Sequence, residues 1–127
     1  MSFEQVIEQF RPMFQAELPD RIARIHAGLQ AQTAGRAPEA LQTVFRESHS
    51  LAGTAAYMNA PELTAAAESL SVLTREILTL GGEVPGGPLA EAWRVYRRLR
   101  EAAAAYLGVE AVGPDESDRE NRGQDDS

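Results

Sequence analysis

The 127-residue chain is 43% hydrophobic, contains no cysteine and carries a formal net charge of −7. That length supports a single core, and the lack of thiols excludes disulfides and cysteine chemistry. The segment Gly108–Ser127 holds seven acids against two arginines, so the rest is nearly neutral and non-specific nucleic-acid binding lacks electrostatic support.

No apolar run approaches the roughly 20 residues that span a bilayer, so no membrane partner is expected. The opening Met1-Ser2-Phe3-Glu4-Gln5 is acidic and amphipathic, unlike a signal peptide, and a cytoplasmic location is the expectation. Apolar residues at Phe3, Val6, Ile7, Phe10 and Phe14 recur at helical spacing, with Ser2 as the predicted N-cap. Pro12 interrupts the pattern and ends or bends this helix. A second helical stretch places Leu18, Ile22, Ile25 and Leu29 on one face, with Pro19 suited to its first turn. Two helices and one kinked helix both satisfy this pattern.

Thr33–Pro38 is a loop by composition, and Pro38 suits the start of the third helical segment. That helix is expected to reach Met58, with Leu41, Val44, Ser48, Leu51, Ala55 and Met58 as its buried stripe. Asn59 closes it, because asparagine tolerates the left-handed conformation of helix ends. Pro61 opens a fourth helix with Leu63, Ala66, Ala67, Leu70, Leu73, Ile77 and Leu80 inward, and so short a link implies antiparallel neighbours. Gly81-Gly82 ends it and Pro85-Gly86-Gly87 continues as a loop. Pro88 begins a fifth helix with Leu89, Trp93, Tyr96, Leu99, Ala103 and Leu107 on its apolar side, stopped by Gly108. The expected fold is all-α: an antiparallel up-and-down four-helix bundle with an additional helix over residues 1–108. A disordered acidic tail follows over 109–127, since from Gly113 onward there is no apolar residue to offset chain entropy.

Most enzyme chemistry is excluded by inspection. Two histidines, no cysteine and no His-x-x-Glu-His pattern argue against a metal site. There is no glycine-rich phosphate loop and no nucleophile–base pair. His26, beside Ile25, reads as packing, and Arg94, Arg97, Arg98 and Arg100 read as a solvated, salt-bridged face. What remains is His49. It lies about 100° around the helix from Ser48, on the flank of the buried stripe. A neutral imidazole is a competent nucleophile near neutral pH and needs only exposure and access. Gly53, one turn on, removes a side chain beside the ring, and a mid-helix glycine costs about 1 kcal/mol relative to alanine. Ala52 and Ala56 keep the approach low, Gln42 and Phe45 complete the face, and Arg46 is placed to meet an anion. The plain alternative is a boundary histidine, with Gly53 marking close helix packing.

The run Phe45-Arg46-x-x-His49-Ser50-Leu51-x-Gly53-Thr54-Ala55 resembles the signature of histidine phosphotransfer (HPt) domains, usually H-x-L-K-G with small residues after it. Leu63 and Leu70 fall where that family's next helix places its leucines, and the resemblance covers about residues 2–107. It implies that His49 accepts a phosphoryl group on a helical bundle without catalytic machinery of its own. The partners it implies are a response-regulator receiver domain, with Mg2+ on that receiver, and a sensor or chemotaxis-type histidine kinase. The Phe-Arg-x-x-His form and the fifth helix are also similar to the N-terminal phosphotransfer domain of chemotaxis-type kinases. Three positions depart from the pattern. The lysine three residues after the histidine is Ala52, for which Arg46 is the expected substitute, and a bundle that binds receivers without being phosphorylated is the corresponding alternative. The glycine ten residues after the histidine is Asn59. The carboxylate that orients the histidine is Ser71, with Glu68 one turn earlier as the replacement.

Overall fold

The computed structural model describes residues 2–35, 39–80 and 86–115. They form four helices: α1 (Phe3–Thr33), α2 (Ala40–Tyr57), α3 (Pro61–Leu80) and α4 (Gly86–Leu107). No strand occurs among the described residues. Each helix packs on the next, and α4 closes the ring against α1. The bundle is as expected except that its first two segments are one helix, so the predicted additional helix merges into α1.

Pro12 and Pro19 both lie inside α1, and the reason they do not break it is their placement. They are two turns apart, hence on one face, and both are exposed. The carbonyls they leave without an N–H partner belong to Glu8 and Gln15, themselves exposed, which leaves them open to solvent. Ser2 caps the helix through a capping box with Gln5. The first turns of α1 contribute little to the core: Phe3, Phe10 and Met13 are half exposed or more, and Phe14 is the first fully packed residue. Arg11 ties this end down, donating to the Met58 carbonyl and the Tyr106 hydroxyl at 3.1 and 3.2 Å. Its hydrogen bond to Glu8, then that to Tyr106, holds its pKa above the ordinary arginine value.

The predicted stripe of α2 is buried throughout: Leu41, Val44, Ser48, Leu51, Ala55 and Met58 are each at most 6% exposed. Buried hydroxyls are satisfied within their own helices, Ser48 donating to the Val44 carbonyl and Thr74 to that of Leu70. Asn59 adopts φ 59°. Ala60 N–H donates to Ala55 and Asn59 N–H to Ala56, the paired bonds of a Schellman end. This tight reversal makes α2 and α3 antiparallel neighbours. Gly28 marks a close approach of α1 to α2, since a Cβ there would stand 2.6 Å from Val44 Cγ2. His26 packs edge-on against Trp93 at 5.4 Å and beside Tyr96, an aromatic setting the sequence did not reveal.

Gly108 ends α4 with φ 71°, but the chain beyond it does not leave the bundle. Val112 is buried, Tyr96 donates to the Pro114 carbonyl, and Arg100 donates to the carbonyls of Val112 and Gly113. Packing therefore continues past the boundary expected at residue 108 through Pro114, because one apolar residue and three backbone acceptors find partners on α1 and α4. Arg100 belongs to this strap and not to the solvated face; Arg94 and Arg98 do pair with Glu91 as expected. The helix start assigned to Pro38, the Gly81–Pro85 link and the tail beyond Asp115 lie outside the described residues.

Candidate functional site

Helix α2 presents its core stripe inward and its His49 shoulder outward, so His49 is exposed one residue from fully buried Ser48. The imidazole stacks on Phe45, one turn earlier, with centroids 5.6 Å apart and planes 20° from parallel. No hydrogen bond or ion pair reaches it among the described residues. The ring is fixed by packing alone, and both nitrogens stay available.

An open cleft runs between α2 and α3 at this point. Its α2 wall is Phe45, His49, Ala52, Gly53 and Ala56, and its α3 wall is Thr64, Glu68, Ser71, Val72 and Arg75. Of the residues assigned from sequence, His49, Phe45, Ala52, Gly53, Ala56, Glu68 and Ser71 are thus brought together. Gln42 and Arg46 are exposed but do not line the cleft. Gln42 lies a further turn beyond Phe45. Arg46 is turned about 60° around α2 from His49, toward the side where Ser50 and Glu47 meet α1 through Arg21 and Arg24.

A Cβ at Gly53 would meet nothing within 4 Å. Close helix packing is therefore not what this glycine serves, since the space beside it is solvent. Ser71 is buried and its hydroxyl donates to the Glu68 carbonyl at 2.9 Å, so toward the cleft it retains only acceptor capacity. Glu68 is exposed on the rim. On the far side of α2, Arg21 is buried and donates to Ser50 Oγ at 2.8 Å. Burial lowers its pKa, opposed by Glu47 and Glu17.

Sequence reasoning missed Thr64, Val72 and Arg75. The signal was present: Ser71, Val72 and Arg75 extend the Glu68 face of α3 at helical spacing. In the sequence, the cation nearest the missing lysine is Arg46 on α2 itself. Chemically the cleft offers one accessible nucleophile, one carboxylate and one guanidinium, that of Arg75. Among the described residues no group of three His, Cys, Asp or Glu side chains converges as a metal site. No described helix is long and apolar enough to cross a membrane.

The family model described as Hpt domain matches residues 9–102. No curated protein and no solved structure matches the chain.

Proposed function

The chain belongs to the Hpt domain family, whose members act in histidine phosphotransfer of two-component signalling, and on that footing we propose that His49 is its phosphoryl-carrying residue. The observation that carries this is an exposed imidazole, unbonded within the described residues, beside a glycine whose outer face is empty. The partner is the receiver domain of a response regulator. A lone pair of an imidazole nitrogen attacks the phosphorus of the receiver's aspartyl phosphate. The N–P bond forms as the P–O bond breaks, and the aspartate leaves as its carboxylate. The proton stays on the other ring nitrogen. Reversal of the same step returns the group to a receiver.

Domains of this family are carriers, and we read this one as having no catalytic machinery of its own. Charge neutralisation of the moving phosphoryl group is assigned to a Mg2+ ion held by the receiver. The bare wall of Ala52, Gly53 and Ala56 then serves the partner, which must bring its aspartate to the ring. Incubation with phosphorylated receivers from the source organism tests the reading. Acid-labile label is expected on the wild type and absent from His49→Gln. A wild type that no receiver labels, or a variant labelled equally well, overturns it.

A further inference from the structure

Resting on the carrier reading of His49, we propose that Arg75 of α3 is the cation that meets the phosphoryl group on this histidine. Its position compensates for Ala52. At the site where a lysine on α2 would reach the group, the wall is a half-buried methyl, and the chain has no lysine anywhere. A dianionic phosphoryl group in the cleft would otherwise face Glu68 without a counter-charge.

The register of the two helices places Arg75 on the correct side of the ring. Side chains on a helix tilt toward its N-terminus, and the stacking on Phe45 shows His49 doing so. Because α2 and α3 reverse at Asn59, residues earlier in α2 face residues later in α3. The Phe45 end of the cleft is therefore the Arg75 end, whereas Thr64 and Glu68 face Gly53 and Ala56. Glu68 and Arg75 share one face of α3, two turns and about 10 Å apart, so the carboxylate does not neutralise the guanidinium.

Arg75 is also uncommitted. It is exposed, and no hydrogen bond or ion pair engages it among the described residues. Arg11, Arg21, Arg24, Arg94, Arg98 and Arg100 are each bonded elsewhere. Arg46 is likewise unengaged, but it does not line the cleft. A guanidinium fork matches two phosphoryl oxygens at once, which a single buried methyl cannot do.

The test separates this inference from its basis. The protein is first phosphorylated with potassium phosphoramidate, without any receiver, and His49→Gln establishes that the label resides on His49. The phosphorus resonance of the labelled protein is then titrated. Loss of a neighbouring cation raises the midpoint at which the phosphohistidine takes up a proton, so an upward shift is expected in Arg75→Ala, little change in Arg75→Lys, and none in Arg46→Ala. Transfer from a phosphorylated receiver is expected to slow about tenfold in Arg75→Ala, the scale of one charge-assisted contact. Adding Ala52→Lys to Arg75→Ala should restore much of that rate. An Arg75→Ala titration and transfer rate equal to wild type, or the same losses found in Arg46→Ala instead, overturns the assignment. Failure of receivers to label a protein that phosphoramidate does label would count against the carrier reading and leave the titration to decide on Arg75.

Discussion

Gly53 is where stability and function oppose each other on a single residue. It lies in mid-helix, is exposed, and has open space where a Cβ would go. Gly53→Ala should therefore stabilise the fold by about 1 kcal/mol through helix propensity alone. The same methyl would stand beside His49 on the approach proposed for the partner, so transfer from a receiver should slow, and Gly53→Leu should slow it much further. Thermal melting and label-transfer rates measured on the same two variants check both halves. Higher stability with unchanged transfer would show that the glycine does not serve access. The residue itself was legible in the sequence as an anomaly, a helix breaker at helical spacing from a histidine. Its meaning was not, because open space and tight packing produce the same letter. Arg75 was harder to see: its relation to His49 exists only once two helices have been set in register.

At the scale of elements, local signals sufficed wherever they were complete. The Ser2 cap, the left-handed Asn59 and the Gly108 stop were all readable, because each end is specified within a few residues. The continuity of α1 was not, since proline signals a break, and only the exposure of Glu8 and Gln15 leaves their carbonyls open to solvent. The apolar spacing of Phe3, Val6, Ile7 and Phe10 likewise marks a helix face without saying how much of it is covered. Gly28 gives the test of helix contact. A Cβ there would lie 2.6 Å from a Val44 methyl and 3.1 Å from the Ala40 carbonyl oxygen. The methyl can rotate away but the backbone oxygen cannot, so α1 and α2 must separate slightly. Gly28→Ala is expected to lose about 1–3 kcal/mol despite its better helix propensity. Denaturant unfolding measures it, and a gain in stability would mean that the interface is looser than its geometry. Because the same residue change at Gly53 has the opposite expected sign, the pair isolates packing from propensity.

For the molecule as a whole, the strap over residues 109–115 decides how large the folding unit is. A net acidic segment after a glycine stop reads as tail, and one buried valine is too weak a pattern to contradict that. Yet Val112 is 5% exposed, and Gly113, at φ 72°, lies so close to Ile22 that a Cβ would stand 2.5 Å from its Cγ2. Together with Tyr96 and Arg100, which donate to three strap carbonyls, it covers the seam between α1 and α4. Removing it exposes an apolar patch and leaves Tyr96, otherwise wholly buried, with its hydroxyl bond lost. A chain ending at Gly108 should lose about 2 kcal/mol and melt on the order of 10 °C lower. A chain ending at Asp115 retains those contacts and should melt with the full-length protein. If both truncations melt alike, the strap adds nothing to the bundle. If only the shorter one falls, and its label-transfer rate below the melting transition is unchanged, the strap stabilises the bundle from the side away from the His49 cleft. That outcome is expected, because the strap packs on α1 and α4 while the cleft is built from α2 and α3.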